Sequence, residues 1–481
     1  MVTYTELAPD LKVARVLTGL WQIADMERDG KTLDASATAQ AMQPYVNAGF
    51  TTFDMADHYG SAEVITGTFR KQNPDDLVQL LTKWVPKPGP VTKDEEREAV
   101  QLSLERMQSD SLDLLQFHAW NYADPVWLDS LFWLQELKQE GLIRHLGVTN
   151  FDAAHLRVAV ASGIEIVSNQ ICYSMIDQRA HGAMTEVCQQ YGVKMLAFGT
   201  LAGGFLTESW LDKPEPNVDE DYTWSQMKYK RFIDAAGGWE KFQALLQALQ
   251  QVAEKHQVPM ATVASRFILD QPAVGGVILG ARLGRSEHIE ENLKIFSTRL
   301  DIEDHQKLKQ AQQILDPIPG GCGDEYRKPP FLTASGDLSH HLDSMPQPYE
   351  PITYRGRQKV FSGTSWEGMA GYCRAVRSGD RISVSGTTAT HGPRPIGGGD
   401  AAAQTHFVID KIQGAIESLG GSLEDVVRTR IFVNNINDWE AVARAHGERF
   451  GSIQPANTLV EAKLVGDGYL VEIEAEAWVS E

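Results

Sequence analysis

The sequence predicts an α/β fold in which a parallel (β/α)8 TIM barrel is followed by a smaller α+β domain. Short apolar runs alternate with amphipathic stretches from about residue 14 to residue 300, and such alternation is typical of a parallel sheet. A proline- and glycine-rich stretch separates this region from a second set of strand and helix patterns. A chain of 481 residues is long enough to bury both cores.

The first region contains eight candidate strands, the number that closes a barrel of this type. Several helical patterns between them end in glycine, for example at Gly49, Gly141 and Gly192, as helices commonly do. A doubly wound open sheet is the rival fold, but no Gly-x-Gly-x-x-Gly motif follows the first strand. The candidate strands are 16–20, 50–53, 79–82, 112–117, 146–148, 164–168, 194–198 and 274–279.

Two long connections shape the rest of the chain. Residues 200–239 are too many for a simple turn, and their aromatic side chains favour a loop that closes over a substrate. Residues 316–350 are predicted to be a linker that lies against another part of the molecule or stays loose. We therefore predict a barrel over 1–315, the linker, and an α+β domain over 351–481. Its predicted strands are 381–385, 427–433, 458–464 and 469–479, with helices over 402–419 and 439–450.

Composition is that of an ordinary globular protein and argues against several classes of partner. The chain is 42% apolar, and no apolar run reaches the roughly 18 residues of a membrane span. A formal net charge of −20 repels nucleic acid and anionic membrane surfaces. The four cysteines lack paired spacing, so neither a metal site nor a disulfide scaffold is predicted. No secretory signal is visible at the start, and we expect a cytoplasmic protein.

Ionisable groups follow three successive strands of the predicted barrel, at the ends where barrel enzymes place their chemistry. Asp54 and Tyr59 follow the second strand, Lys83 the third and His118 the fourth. Reduction of a carbonyl requires a proton donor, and a tyrosine serves when a lysine ammonium stabilises its anion. A carboxylate can hold that lysine, and a further polar group can orient the carbonyl. Each residue alone fits a structural role, but their conjunction favours catalysis.

Four motifs resemble the aldo-keto reductase family over roughly residues 12–315. They are FDMAxxYG from Phe53, TKW from Thr82, LLQFH from Leu114 and GVTNF from Gly147. The resemblance implies a (β/α)8 barrel and an NAD(P)H-dependent reductase of aldehydes or ketones. The roles that it implies are general acid for Tyr59, lowering of the tyrosine pKa for Lys83, pairing with Lys83 for Asp54, and orientation of the carbonyl for His118.

The same resemblance assigns residues to the nicotinamide end of the cofactor. An aromatic ring can stack on the face of the nicotinamide, and Phe198 stands at the position of that ring. The turn that follows it contains Gly199 and Leu201. The residues assigned to the carboxamide are Thr149, Asn150 and Gln170.

The adenine end is assigned to two segments that follow the last barrel strand. His288 falls where many family members place an arginine for the 2′-phosphate. Arg282 and Arg285 can replace that arginine, because a guanidinium suits a phosphate. NADPH is therefore expected in preference to NADH. The residues assigned to this end are Gly280, Arg282, Arg285, Glu291 and Asn292.

Tryptophans supply candidate walls for the substrate pocket. Ligand pockets are commonly apolar and aromatic around a few polar groups. Ordinary core packing is the alternative for each of these side chains, and nothing in the sequence names the carbonyl substrate. The candidates are Trp21, Trp84, Trp120 and Trp224.

The second region resembles the RidA/YjgF family over about residues 355–481. The motifs are GYCRAV from Gly371, ISVSGT from Ile382, VVRTRIFV from Val426 and LVEIEA from Leu470. In that family three chains form a trimer with a cleft at each interface, and active members hydrolyse enamines and imines. Cleft positions are matched by Tyr372 and Glu472, but Asn457 replaces the carboxylate-binding arginine. An amide lacks the charge and fork of a guanidinium.

These observations predict a reductase of small carbonyl compounds, with the second domain serving homotrimer assembly or small-ligand binding. One alternative is a bifunctional enzyme whose second domain hydrolyses imines. Another is a metabolite-binding module on a weakly active barrel, since one chain keeps two sites at high effective concentration.

Overall fold

The computed structural model describes residues 1–28, 30–218, 222–285, 287–327 and 345–479. The chain starts with an antiparallel hairpin and continues into eight parallel strands, which close into a barrel when the last pairs with the first. All eight predicted strands are present, which confirms the predicted barrel. The hairpin is β1 (Tyr4–Ala8) and β2 (Leu11–Ala14), and the barrel strands are β3 (Val16–Gly19), β4 (Thr52–Asp54), β5 (Gln79–Trp84), β6 (Leu114–Phe117), β7 (Leu146–Thr149), β8 (Ile166–Cys172), β9 (Lys194–Phe198) and β10 (Val274–Gly280).

The β1–β2 hairpin forms the floor of the barrel, and the sequence did not predict it. Its apolar side chains pack against the inward-facing residues of the barrel strands and bury a core separate from the helix layer. That core contains Leu7, Leu11 and Val13 of the hairpin with Leu17, Leu81, Leu114, Leu196 and Ile278 of the barrel. The opposite end of the barrel is therefore the one left for a site.

Helices surround the strands, and several begin at side chains that cap the free backbone N–H groups. Thr92 and Glu95 form a reciprocal capping box at the start of one helix, and Asp152 caps another. Within the described residues, none of the helices is both long and apolar enough to cross a membrane. The helices are α1 (Trp21–Glu27), α2 (Ala35–Gln40), α3 (Gln43–Asn47), α4 (Ala62–Gln72), α5 (Lys93–Met107), α6 (Val126–Gln139), α7 (Ala153–Ala161), α8 (Ala183–Tyr191), α9 (Trp224–Ala235), α10 (Gly238–His256), α11 (Met260–Leu269), α12 (Ile289–Ser297) and α13 (Ile302–Gln312).

The long connection after β9 contains helix α9, which begins at a capping box formed by Thr223 and Gln226. Trp224, the first residue of α9, faces the barrel mouth with its ring centroid 5.7 Å from that of Trp21. Trp210 instead packs within the connection itself, with its ring centroid 4.7 Å from that of Phe205. The connection thus brings one aromatic side chain to the mouth and uses another for its own packing.

The segment that follows α13 lies against the barrel as far as helix α14 (Asp324–Arg327), and 328–344 lie outside the described residues. Arg179 anchors the segment, because its Nη1 donates to the Gly321 carbonyl at 2.7 Å and pairs with Glu325 at 2.9 Å. Arg327 donates to the carbonyls of Asn150 at 2.7 Å and Cys322 at 2.6 Å. Residues 316–327 of the predicted linker therefore lie against the barrel, as the first of the two predicted alternatives has it.

The second domain is a seven-stranded sheet, as far as it is described, with two long helices on one face. The fourth strand, the two long helices and the strands after them match the predicted pattern. The first three strands, the short helix and a separate two-stranded sheet over 390–395 were not predicted. The elements are β11 (Ile352–Tyr354), β12 (Arg357–Val360), α15 (Ser365–Ala370), β13 (Ala375–Ser378), β14 (Arg381–Thr388), β15 (Thr390–His391), β16 (Arg394–Pro395), α16 (Ala401–Glu417), β17 (Val426–Val433), α17 (Trp439–Phe450), β18 (Ala456–Glu461) and β19 (Val471–Trp478).

Helix α16 of the second domain packs against helix α7 of the barrel. His155 of α7 lies at the centre of this contact, with Nε2 3.0 Å from Oδ2 of Asp410 and Nδ1 2.7 Å from Oδ1 of Asp152. Burial works to lower the pKa of His155, but the two carboxylates outweigh it and raise that pKa above its usual range. A second histidine, His391, pairs with Asp129 at 2.8 Å near the edge of the same interface.

Candidate active site

A cavity of about 420 Å³ opens at the carboxyl ends of the barrel strands. Asp54 ends β4, Lys83 lies near the end of β5, and His118 directly follows β6. Tyr59 comes from the loop after β4, and all four side chains line the cavity. The structure therefore brings together the four residues that the sequence predicts to be catalytic.

Asp54 and Lys83 form a buried ion pair at the bottom of the cavity. The Lys83 Nζ lies 2.8 Å from Oδ2 of Asp54 and donates to the Met55 carbonyl at 2.6 Å. The other Asp54 oxygen accepts from Nε2 of Gln170 at 2.6 Å and from Nε2 of Gln116 at 3.3 Å. Burial lowers the pKa of Lys83, while Asp54 opposes that shift. The carboxylate thus holds the lysine in position and favours its charged form.

The Lys83 ammonium lies 4.7 Å from the centroid of the Tyr59 ring, within cation–π distance. The Trp21 ring packs edge-on against Tyr59, with centroids 4.9 Å apart. His118 is 1% exposed, and its Nδ1 lies 3.5 Å from Nδ2 of Asn150. The arrangement presents a phenol and an imidazole to one cavity, with a positive charge behind the phenol.

Three buried polar atoms in the cavity wall show where a polar ligand would fit. They have no hydrogen-bond partner among the described residues, although buried polar atoms are normally paired. The atoms are Gln22 Oε1, Asn150 Oδ1 and Ser265 Oγ. Asn150 adopts a positive φ of 61°, which aims its side chain away from the usual strand direction. These acceptors suit the carboxamide and hydroxyl donors of a nicotinamide dinucleotide.

Two glycines at predicted cofactor positions are packed tightly against side chains of the cavity wall. Gly199 has a φ of 71°, a conformation that favours glycine, and a β-carbon there would collide with the Tyr229 phenol. A β-carbon at Gly280 would lie 2.6 Å from the Gln22 amide. Glycine at these two positions therefore lets the side chains of Tyr229 and Gln22 pack closely against the backbone of the cavity wall.

Nine of the eleven residues predicted to bind cofactor line the cavity. The hydroxyl of Thr149 is already used, since it donates to the Gln170 carbonyl at 3.1 Å. Arg282 and Arg285 are absent from the cavity wall: Arg282 is paired with Asp25 at 3.4 Å, and Arg285 is exposed. The predicted residues in the wall are Thr149, Asn150, Gln170, Phe198, Gly199, Leu201, Gly280, Glu291 and Asn292.

Three of the four predicted tryptophans line the cavity: Trp21, Trp120 and Trp224. Trp84 does not, and the pocket role predicted for it is not what the structure shows. Successive side chains of a strand point to opposite faces, so Lys83 points inward and Trp84 outward into the helix layer. There Trp84 packs against Phe117, with ring centroids 5.5 Å apart.

Lys228 of α9 and Tyr326 of α14 are among the cavity-wall residues that the sequence did not predict. Lys228 Nζ donates to the Tyr326 hydroxyl, and the Tyr326 ring lies 5.8 Å from that of His118. Lys228 follows Trp224 by one helical turn, so the lysine shares its helix face with that tryptophan. That spacing was a signal for Lys228, whereas Tyr326 lies in a segment that the sequence described only as a linker.

The second domain does not gather its predicted residues in the same way. Arg374 donates to the Tyr372 hydroxyl at 3.3 Å, and burial, together with Glu474, raises the pKa of Glu472. Asn457 lies on edge strand β18, separated from Glu472 of β19 by strand β17. Its amide donates to the Thr429 hydroxyl at 2.9 Å. Within one chain, Asn457 and Glu472 therefore do not share a cleft.

The family model described as "Aldo/keto reductase family" matches residues 15–313, more than half of the chain. The chain belongs to the aldo/keto reductase family. Membership supports an oxidoreductase that acts on carbonyl groups with a nicotinamide cofactor. A second family model, described as "Endoribonuclease L-PSP", matches residues 363–479 of this aldo/keto reductase, so the chain is a fusion with a RidA-like domain.

Individual relatives cover each part of this aldo/keto reductase. The NADH-specific methylglyoxal reductase of Escherichia coli is 24% identical over 64% of this chain and 97% of its own length. The holo form of aldo-keto reductase AKR11C1 from Bacillus halodurans is 23% identical, covers 65% of this chain and 96% of its own, and has a TM-score of 0.50, which supports the fold. Rv2704 of Mycobacterium tuberculosis, from the YjgF/YER057c/UK114 family, is 44% identical over 26% of this chain and 99% of its own, with a TM-score of 0.24.

Proposed function

We propose that the barrel reduces an aldehyde or ketone to an alcohol with NADPH. The observation that carries this proposal is the buried Asp54–Lys83 pair beside the Tyr59 phenol in a single cavity. A charge pair, a phenol and an imidazole from successive strand ends are the parts that proton delivery to a carbonyl oxygen requires. Family membership supplies the reaction class.

The residues of the chain divide the proton chemistry among themselves. His118 orients the carbonyl by a hydrogen bond to its oxygen, and Tyr59 donates the proton as that oxygen becomes negative. Lys83 stabilises the tyrosinate left behind, and Asp54 keeps Lys83 charged in its buried position. A nicotinamide cofactor, when bound, supplies the hydride to the carbonyl carbon. The aromatic walls exclude water, which strengthens each of these electrostatic interactions.

The cofactor would lie with its carboxamide at Asn150 and its ring against Phe198. Support comes from the unpaired Oδ1 of Asn150 and from the position of both residues in the cavity wall. NADPH rather than NADH rests on Arg282 and Arg285, both close in sequence to the wall residue Gly280. Arg282 would exchange Asp25 for the 2′-phosphate, an exchange that a 3.4 Å contact on a partly exposed side chain permits.

Fluorescence titration with NADPH and with NADH, followed by turnover of small aldehydes, tests this proposal. We expect saturable binding of both cofactors, tighter for NADPH, and loss of the difference in the Arg282→Ala/Arg285→Ala double variant. Tighter binding of NADH would overturn the NADPH assignment and leave carbonyl reduction standing. If neither cofactor binds, the reductase proposal fails. Arg381→Ala in the second domain is a matched control that removes a half-exposed arginine far from the barrel.

For the second domain we propose assembly into a homotrimer. Large apolar side chains stand exposed on its sheet and adjoining helix, where association with other copies would bury them. They include Val427 (48% exposed), Trp439 (52%), Val460 (44%) and Trp478 (53%). The replacement of arginine by Asn457 argues against the imine hydrolysis of the alternative reading.

Mass measurement by light scattering after gel filtration tests assembly. We expect a particle of three times the chain mass, and a smaller one for Val460→Lys, because a charge in a buried interface is costly. Val64→Lys, at an exposed apolar position of the barrel, is the control. A monomeric wild-type protein would end the assembly proposal.

A further inference from the structure

Asn150, whose side chain is assigned to the cofactor carboxamide, is contacted at its backbone by residues 321–327. Its φ of 61° is uncommon outside glycine, and residues persist in such conformations where their surroundings fix them. The Asn150 carbonyl accepts from Nη1 of Arg327 at 2.7 Å, and its amide donates to the Gln170 carbonyl at 2.8 Å. A β-carbon at Gly323 would collide with the same Asn150 oxygen, so the segment packs directly on it. The direction of the Asn150 side chain therefore depends on a segment beyond the barrel.

Arg327 is in turn fixed by rings that lead to the interface between the domains. Its side chain is 6% exposed, and its guanidinium lies 4.5 Å from the centroid of the Tyr122 ring. The Tyr122 ring is also stacked on the imidazole of His155, with centroids 3.5 Å apart and an angle of 6° between the planes. A continuous set of contacts therefore joins Asn150 to His155 of α7.

The second domain supplies the last contact of this set. Asp410 of α16 places Oδ2 3.0 Å from Nε2 of His155, and its Oδ1 accepts from Nη1 of Arg449 at 2.6 Å. Both oxygens of this buried carboxylate are thus engaged. On the barrel side, Nδ1 of His155 lies 2.7 Å from Oδ1 of Asp152, which follows Asn150 closely in the sequence. The second domain therefore contacts the loop that contains Asn150 through a buried histidine.

We propose that the second domain positions the Asn150 amide for the cofactor carboxamide. Asp410 fixes His155 in the interface, and the stacked rings of His155 and Tyr122 then fix Arg327. The Arg327 guanidinium holds the Asn150 backbone, so that Oδ1, which has no hydrogen-bond partner among the described residues, stays available to a carboxamide. None of these residues except Asn150 lines the cavity, so they are positioning residues. The inference rests on the proposed nicotinamide cofactor and adds a role for the second domain to it.

Calorimetric titration with NADPH and with 2′-phospho-ADP-ribose tests this role, because the second molecule lacks the nicotinamide. For the wild-type chain we expect tighter binding of NADPH. Arg327→Met should lower the ratio of the two affinities by about fivefold to 150-fold, the usual range for coupling between sites. Arg327→Lys keeps the charge and a donor, so it should lower the ratio less, and it carries the comparison if Arg327→Met does not fold. Should the chain prefer NADH, the corresponding pair is NADH and ADP-ribose.

Asp410→Asn tests the part of the second domain, and Asp400→Asn is the matched control. Asp410→Asn removes the charge beside His155 and should lower the same ratio by a smaller factor. Asp400 precedes α16 at the same interface but pairs with Arg157 at 3.0 Å, so its variant should leave the ratio unchanged. Exchange of backbone amide hydrogens without cofactor gives a second readout. Peptides that contain Asn150 should exchange faster in Arg327→Met and Asp410→Asn than in the wild type and in Asp400→Asn.

Failure of this inference is distinguishable from failure of the reductase proposal. If the wild-type chain binds neither NADPH nor NADH, the reductase proposal itself is wrong. If NADPH binds no tighter than 2′-phospho-ADP-ribose, or if Arg327→Met weakens both ligands equally, Asn150 is not positioned for the carboxamide and the inference is overturned. If Asp410→Asn keeps the wild-type ratio while Arg327→Met lowers it, the α14 segment acts alone and the role of the second domain is wrong.

Discussion

The barrel cavity and the second-domain sheet both carry motifs of their families, but only the barrel gathers its motif residues around an empty space. Asp54, Lys83 and His118 come from three strand ends that point into one cavity. In the second domain, Glu472 and Asn457 lie on strands separated by β17. Convergence follows from barrel closure, because every strand ends at the same mouth, whereas an open sheet spreads its strands.

The use of charge differs in the same way. Lys83 of the barrel faces the cavity, so its charge acts on whatever binds there. The buried Arg374 of the second domain instead donates within its own domain. Its Nη1 donates to the Gly386 carbonyl at 2.7 Å and to the Thr387 hydroxyl at 2.8 Å. A buried charge therefore indicates a site only when part of its surroundings is left to a ligand.

Removing one hydroxyl from each region tests this comparison with the largest expected effect. Tyr59→Phe should lower kcat for aldehyde reduction about 10²- to 10⁴-fold, the usual contribution of a general acid, and leave cofactor affinity unchanged. Tyr372→Phe, the matched change in the second domain, should leave kcat unchanged. The measurement is steady-state NADPH oxidation with fluorescence titration of the cofactor. Full activity in Tyr59→Phe would refute the assigned roles.

Asp54→Asn sharpens the account of charge in the barrel. Breaking a buried ion pair should cost about 3–5 kcal/mol of unfolding free energy. Burial already lowers the pKa of Lys83, and the variant loses the carboxylate that opposes this shift. The lysine then sheds its proton at lower pH, so the alkaline fall of kcat should begin at lower pH than in the wild type. Denaturant unfolding and a pH–rate profile measure both effects; an unmoved alkaline limb would contradict the assignment.

Interdomain histidines offer a third contrast, between a buried and an edge position. His155→Gln should lower the free energy of unfolding by about 1.5–3 kcal/mol, the value of hydrogen bonds to charged groups. His391→Gln, at the edge of the interface, should lower it by only about 0–1 kcal/mol. Because the pKa of His155 is raised in the folded state, its charged form stabilises the fold. This contribution to the free energy of unfolding is complete below the usual histidine pKa and is lost as pH rises through the raised value. Thermal unfolding should show that the stability difference between the wild type and His155→Gln becomes smaller from neutral to alkaline pH. A difference that does not change with pH would contradict the role assigned to the charge of His155.

The smallest effect is expected at the position where the second domain departs from its family. Asn457 is exposed, so Asn457→Arg should change stability by no more than about 0.5 kcal/mol and leave aldehyde reduction unchanged. Imine hydrolysis, measured by coupled ammonia release, should be undetectable in the wild type. If the wild type hydrolyses imines, the bifunctional alternative holds and the argument against hydrolysis from Asn457 is wrong.

The sequence predicted the barrel well because its strands are short apolar runs, and β4, β5 and β6 each have an ionisable residue at or beside their carboxyl end. The same rule located Asp54, Lys83 and His118 without any knowledge of tertiary packing. It failed at Trp84, since adjacency in sequence to Lys83 does not mean the same face of a strand. The β1–β2 hairpin escaped prediction because its strands are short and carry polar residues such as Glu6 and Lys12.

Lys228 and Tyr326 were not predicted, because neither belongs to a strand end, and only the helical spacing from Trp224 pointed to Lys228. Helix α9 is placed at the mouth by packing of the long connection, and α14 is placed there by the ion pairs of Arg179. Lys228 lies about a hundred residues from both His118 and Tyr326 in the sequence, so only the folded structure shows that they are neighbours. Patterns in sequence locate the groups proposed to be catalytic, whereas the cavity-wall residues of α9 and α14 are placed by tertiary contacts.

The position of the α14 segment in the sequence determines when the cavity is completed during synthesis. The hairpin that forms the barrel floor leaves the ribosome first, and β10, which closes the wall, leaves much later. Arg327 and Tyr326, which cover Asn150 and face His118, leave later still. A nascent chain that ends at residue 315 therefore contains all eight barrel strands but lacks the segment that covers the mouth of the cavity. The cavity is complete only after translation has passed the barrel and reached the segment that leads to the second domain.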